Sequence, residues 1–409
     1  MNVIEPIVQK MSRLSTSQRK FLVIVLTTIH LLRGKMTFRN MRRYSDLHEK
    51  TFSRHFRQSV DVASMNHLAL TTFLPPGIPV VAAIDTTTTS KSGSCTYGLD
   101  LFSNSSHSRP EQCGEFSELA LVDVTYNTAY HLSTLPTPDT DTMTTLLGAD
   151  GSRMDWYLVH LRQDMGLCPR GVTHLAADGA YAKQKFVDGV CEWALHLIST
   201  LRHDANLRFL YTGPRQKRRG APKKYDGKVT FQELSRFTPI TVSDDVTLYA
   251  AVVNSVSLKR TIRLVYVWKQ QGKNLLTALL FSTDTELDAE LIYRYYTARF
   301  QIEFLIRDAK QFTGVGDFQV CSQRKIAFHV NVSMTALNFL KREDRLTTQE
   351  TSNASQERTD HVISISSWKT RKFNEHQVEG IISTLGLDLS SLKIHPEYEN
   401  LINYGAIAA

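Results

Sequence analysis

Ile78-Pro79-Val80-Val81-Ala82-Ala83-Ile84-Asp85 is an apolar, β-branched run ending in a carboxylate, and it reads as a buried strand. The pattern returns a hundred residues later, where Val172 to Ala177 is a second buried strand ending in Asp178. Between them, Leu119 to Tyr126 and Ala129 to Leu135 form a hairpin about Asn127-Thr128, and Met154 to Met165 is a helix. A helix from Tyr181 to Val190 and a strand from Ala194 to Thr200 follow. Asp123, inside the hairpin, reads as a surface-facing strand position.

Three antiparallel strands, a helix, then strand-helix-strand is the order of an α/β fold with an RNase H-like mixed sheet. A basic segment over 202–261, punctuated by Gly213-Pro214 and by Gly220-Ala221-Pro222, interrupts that order as an insertion. Ile262 to Trp268 and Leu275 to Ser282 then form a hairpin about Gly272-Lys273-Asn274. Asp284 to Thr313 is a long helix, and Ile326 to Leu340 a helix that packs back on the sheet. The expected organisation is a helical N-terminal domain over 1–75, closed by Pro75-Pro76-Gly77. A catalytic core follows over 76–201 and 262–340, split by the insertion, with a C-terminal tail over 341–409. In that tail, Arg345 to Asp360 is polar and reads as mobile.

Composition narrows the function. With 42% apolar and 22% charged residues in 409, the chain is ordinary globular protein of two or three units. The longest strongly apolar stretch, Phe21 to Leu32, is too short to span a bilayer, which takes about 20 residues, so no membrane partner is expected. The N-terminus lacks the order of a secretory signal, which points to the cytoplasm. Five widely spaced cysteines without CxxC encode neither a disulfide framework nor a zinc knuckle.

Charge is localised as well as positive. The net charge is +8, and the first 75 residues hold 12 basic and 4 acidic side chains; Arg202 to Arg236 hold 10 basic and 3 acidic. Two basic blocks suit a long polyanion such as DNA, although each alone could be a solvated face. In the first block, Phe38 to Tyr44, which includes Arg42 and Arg43, and Thr51 to Arg57 have the look of two short helices joined by a turn, a helix-turn-helix pattern.

Two carboxylates at the ends of adjacent buried strands raise one another's pKa unless a cation compensates, and a hard divalent ion such as Mg²⁺ would do so. Turn or cap roles for Asp85 and Asp178 remain open. In the long helix, Tyr296, Arg299, Glu303, Arg307 and Lys310 fall within about 80° of arc at 100° per residue, a polar stripe on an otherwise apolar helix. Either the stripe is a ladder of salt bridges, or Glu303 takes a metal while Tyr296, Arg299, Arg307 and Lys310 take phosphate.

Tyr296-x2-Arg299-x3-Glu303-x6-Lys310 resembles the Tyr-Arg-Glu-Lys signature of bacterial insertion-sequence transposases of the DDE class, specifically the cut-and-paste insertion-sequence-four family. Ile84-Asp85-Thr86, with Lys91 and Gly93 downstream, is similar to that family's first catalytic block, and Ala177-Asp178-Gly179-Ala180-Tyr181 to its second. The likeness covers roughly residues 78 to 340. It implies a β-rich insertion before the glutamate, and a DNA transposase, associated with the nucleoid, that cleaves transposon-end DNA and joins the 3′ ends to target DNA. Asp85, Asp178 and Glu303 would hold two Mg²⁺ ions, with Mn²⁺ able to substitute. Lys91, Tyr296, Arg299 and Lys310 would grip DNA near the cut. Trp268 or Tyr225 would hold a flipped base where relatives cut through a DNA hairpin, although Trp268, in the apolar run Leu264 to Trp268, reads first as a plain core or hairpin aromatic. Pairing two ends implies a homodimer or higher oligomer. An RNase H-like nuclease without strand transfer and a catalytically silent DNA-binding derivative are the alternatives.

Overall fold

In the computed structural model, residues 3–93, 95–104, 109–169, 171–214, 221–351 and 363–407 are described. Their strands form one mixed sheet. These are β1 (Val80–Ser90), β2 (Leu99–Asn104), β3 (Arg109–Asp123), β4 (Thr128–Pro136), β5 (His174–Ala177) and β6 (His196–Leu201). They continue as β7 (Leu207–Leu210), β8 (Tyr225–Lys228), β9 (Thr238–Ser243), β10 (Val246–Ser255), β11 (Arg260–Gln271) and β12 (Asn274–Ser282). The order is β2-β3-β1-β5-β6-β12-β11-β10-β7-β8, with β4 on β3 and β9 on β10.

The centre of the sheet follows from its apolar runs. Val81 to Ile84 and Leu175 to Ala177 are fully buried, as strands covered on both faces must be, and β1, β5 and β6 pair in parallel. Asn127 at φ 47° turns the β3-β4 hairpin, a conformation that Asn tolerates better than most residues. β1 was expected to stop at Asp85 but runs on to Ser90, because Thr86 to Thr89 are β-branched and pair with the first half of β3, down to Cys113. Asp85 therefore ends the parallel pairing with β5, not the strand. The basic segment supplies strands to the same sheet: β10 pairs with β11, and β12 pairs antiparallel with β6 through Leu279 and Leu201.

Helices cover both faces. Helices α1 (Glu5–Gln9), α2 (Thr16–Leu31), α3 (Phe38–Met41), α4 (Glu49–His55) and α5 (Val62–Phe73) precede the sheet. α6 (Thr140–Leu147), α7 (Arg153–Asp164) and α8 (Gln184–Glu192) lie within its first half. After it come α9 (Ala289–Arg299), α10 (Gln301–Asp308), α11 (Gln323–Thr351), α12 (Ile365–Thr384), α13 (Leu389–Lys393) and α14 (Pro396–Asn403). The N-terminal helices share a continuous core with the sheet. Phe21, itself packed on Phe52, and Phe56 meet Phe328 of α11, and the amide of Asn66 donates to Leu132 O and Thr335 Oγ1. With their aromatic side inward, α3 and α4 leave Arg39, Arg42, Arg43, Lys50 and Arg54 exposed.

The long helix expected from Asp284 starts at Ala289, capped by Asp288, breaks at Phe300, and ends in a π-helical turn over Ala309–Thr313. Arg345 to Thr351, expected to be mobile, continue α11; 352–360 lie outside the described residues. Asp123 is not surface-facing: it is fully buried, accepts the N–H groups of Thr125 and Tyr126, and pairs with Arg345 at 2.7 Å. The missing clue was a partner 222 residues away. No helix among the described residues is long and apolar enough to cross a membrane.

Because removing one partner strands a buried charge, Arg345→Met should destabilise the fold by about 3–5 kcal/mol, read as a lower urea midpoint at unchanged m. A loss below about 1 kcal/mol would mean that Asp123 finds other compensation.

Candidate active site

Ile84 and Ala177 are the last paired residues of β1 and β5, so Asp85 and Asp178 take the next position on adjacent strands. Ala83 and Ala176 face the apolar layer beneath Ala298, Ile302 and Leu305. Side chains alternate along a strand, so Asp85 and Asp178, two residues on, share the face that α9 and α10 cover. Asp178 caps the short turn Gly179–Tyr181, its Oδ1 accepting from Ala180 N at 2.9 Å, while Ser199 Oγ donates to its carbonyl at 2.7 Å. Thr86 N–H donates to Asp85 Oδ1 at 2.8 Å.

From the helical side, Arg299 is 8% exposed and stands between two acids. Its Nη2 donates to Glu303 Oε1 at 3.1 Å, and its Nη1 lies 3.7 Å from Asp85 Oδ2. The guanidinium lies 5.5 Å from the ring centre of Tyr296, whose hydroxyl burial pushes up in pKa, with Asp178 adding to the rise and Arg299 opposing it. Asp85 records the balance of charge. Burial raises its pKa to about 6; the Thr86 amide and Arg299 lower it, while Asp178 and Glu303 raise it further.

The five-residue stripe does not converge on one point. Tyr296, Arg299 and Glu303 do face the aspartates, and Arg299 to Glu303 is one of the salt bridges that the spacing allowed. Arg307 turns to its neighbour Asp308 at 3.0 Å, lies over Phe304, and is 61% exposed. Lys310 sits in the π-turn, where the 100° increment fails, and donates to Thr88 O at 2.8 Å.

The remaining candidates stand elsewhere. Lys91 donates to Gly316 O and Phe318 O. Trp268 packs between Tyr249 and Tyr266 in the β10-β11 ladder, and Tyr225 lies under Arg208. Arg42 and Arg43 are exposed on the N-terminal helices. Two residues went unread in the sequence. Tyr181 is fully buried, and its hydroxyl has no hydrogen-bond partner among the described residues; it belongs to the 177–181 block and could have been noticed. Glu115 accepts from Tyr157 at 2.8 Å, but with β3 expected to begin at Leu119 it gave no signal.

Oxygen donors in a buried, negatively biased site fit a hard divalent ion in kind, and Asp85's raised pKa marks a carboxylate that burial has stripped of water, with Asp178 and Glu303 adding to the rise. In position the fit is incomplete. Arg299 occupies the gap, and among the described residues no three His, Cys, Asp or Glu side chains are placed to hold a metal.

Residues 157–339 match the family model of the transposase DDE domain. The matched span takes in Asp178 and Glu303 and begins after Asp85. No curated protein matches the sequence. Among solved structures, a piggyBac transposase synaptic complex with hairpin DNA, seen by cryo-EM, aligns over 93% of this chain and 77% of its own, at 11% identity and a TM-score of 0.38.

A carboxyl whose folded pKa is raised contributes stability that is present below its unfolded pKa and lost as the pH rises through about 6. Asp85→Asn, which keeps an acceptor for Thr86 N–H, should therefore be more stable than the parent at pH 7.5 without divalent ions, by up to about 3 kcal/mol. The gain should fade below pH 4. Urea unfolding at both pH values checks this; equal stability at pH 7.5 would mean that Arg299 already neutralises the site.

Proposed function

We propose that this protein is a DNA transposase of the DDE class, which binds transposon-end DNA, cleaves it and joins the 3′ ends to target DNA. The observation that carries the reading is the register that sets Asp85 and Asp178 side by side, with Glu303 one guanidinium away. The order β4-β3-β1-β5-β6, three antiparallel strands and then two parallel ones, supports an RNase H-like core. The transposase-domain match over Asp178 and Glu303 supports the chemistry.

Asp85, Asp178 and Glu303 would hold Mg²⁺, which supplies Lewis-acid activation of the phosphodiester and of the attacking hydroxyl. For Glu303 to join the aspartates, Arg299 must release it. A DNA phosphate is a suitable new acceptor for that guanidinium, since Arg binds phosphate through two parallel N–H bonds. The exposed Arg42 and Arg43, and Arg307 on giving up Asp308, would neutralise backbone charge further from the cut. Lys310 keeps donors beyond the one used on Thr88. Joining two ends in one complex takes at least two protomers, hence a homodimer or larger assembly on DNA, in the cytoplasm with the nucleoid. A second reading, a silent DNA-binding derivative, is favoured by Arg299 standing where the acids would have to meet.

The test supplies the full chain with the DNA that flanks its own coding region, a supercoiled target and Mg²⁺. The parent should cleave and join, and Asp178→Ala should lose at least about 100-fold in cleavage while still binding the ends. Cleavage without joining would leave a nuclease, and binding without cleavage would leave the silent derivative.

A further inference from the structure

A cavity of about 530 Å³ lies where the N-terminal helices meet the core, between the start of α5, β4, the end of α7 and α11. Its walls are apolar in part, with Val60, Leu135 and Phe328, and it holds two carboxylates, Asp61 and Asp164. We propose that this cavity is a binding site for a short aliphatic diamine, with one ammonium on the buried Asp164 and the other on Asp61, exposed at the mouth. The cavity shares no lining residue with the site of Asp85, Asp178 and Glu303.

Asp164 is the residue that calls for a cation. It is 6% exposed, and its one ion-pair partner among the described residues is His160, at 3.5 Å. His160 is fully buried, with Nδ1 2.9 Å from Ser117 Oγ and Nε2 2.9 Å from Ser133 Oγ, and burial pushes its pKa down to about 3. The imidazole is therefore neutral at ordinary pH and leaves Asp164 without a counterion. Burial also raises the pKa of Asp164, with Ser133 opposing the rise and Asp61 adding to it. A carboxylate taken out of water with no paired charge is costly, and a cation that enters from solvent removes that cost.

The chemistry of the walls selects the cation. An anion is disfavoured because Asp61 already caps α5: its Oδ1 accepts from Ser64 N at 2.9 Å and its Oδ2 from Ser64 Oγ at 2.6 Å. Asp61 keeps room for an ammonium, since a carboxylate accepts at about four sites. A bare metal ion is disfavoured too, because no three His, Cys, Asp or Glu side chains among the described residues are placed to hold one. An alkyl chain between two ammonium groups matches apolar wall between two acids. Arg324, exposed on the rim, opposes any cation and so sets the sign of one control.

The test titrates the full chain, free of nucleic acid, with putrescine by calorimetry at physiological salt, which screens attraction to exposed acids elsewhere. The uncharged diol of the same chain length is the control. The parent should bind putrescine saturably and the diol not at all. Asp164→Asn should weaken binding by about 30-fold or more, as loss of one member of a buried charge pair does. Asp61→Asn, which still caps α5, should cost about 5-fold or less, as for an exposed pair. Arg324→Gln should tighten binding, because it removes a like charge. Should Asp164→Asn fail to fold, Ala63→Leu, which narrows the cavity and leaves both acids in place, carries the comparison with a loss expected. A parent without saturable binding overturns the proposal, and so does equal affinity for the diol. Unchanged affinity in Asp164→Asn overturns it as well, as does weaker binding in Arg324→Gln, the mark of an anion site.

Discussion

Carboxylates at equivalent positions on adjacent strands repel one another, and the repulsion grows as they leave water. Asp85 and Asp178 are in that position, and the partly buried Arg299 is the cation that answers them, through Asp85 and Glu303 together. Everything around the site either holds that arrangement or depends on it. The parallel pairing of β1 with β5 fixes the aspartates, and the packing of Ala298, Ile302 and Leu305 on Ala83 and Ala176 fixes the helix. Burial still holds Asp85 at a pKa of about 6, with Asp178 and Glu303 adding to the rise, so the compensation is partial. A site built this way is receptive to further positive charge.

The sheet and its helices are tied by polar contacts deep in the core. Asn338 donates to His131 O and accepts from His131 N–H, Asn331 does the same at Thr134, and Lys341 caps Ala129 O. Together they anchor α11 along β4, where each buried backbone group needs a partner. His30 of α2 reaches Ala336 O of the same helix. The N-terminal helices are thus seated on the element next to the site, leaving their basic side outward. Charge in the first 75 residues is carried by the same fold that carries the acids.

Some of this was legible in the chain. Val81 to Ile84 and Leu175 to Ala177 could be read because a strand covered on both faces needs an unbroken apolar run, and the carboxylate after each run could be read with it. The hairpin at Asn127 and the Tyr296, Arg299, Glu303 spacing followed from local rules of turn and helix. β2 and the first half of β3 escaped notice, since 99–112 is largely polar and has no apolar rhythm. Lys310 was misplaced in angle because a π-turn breaks the helical increment.

The sequence by itself determined the strand centres, the helix that faces them, and which acids are near them, since each of these is written in residues close together along the chain. Tertiary structure alone decided that β12 pairs with β6, so that the insertion's strands extend the same sheet, that Asp123 is buried against Arg345, and that Lys91 spends its charge on the carbonyls of Gly316 and Phe318. Those partners lie some 80 to more than 220 residues apart in the chain, and no periodicity within one segment encodes a contact made across the fold.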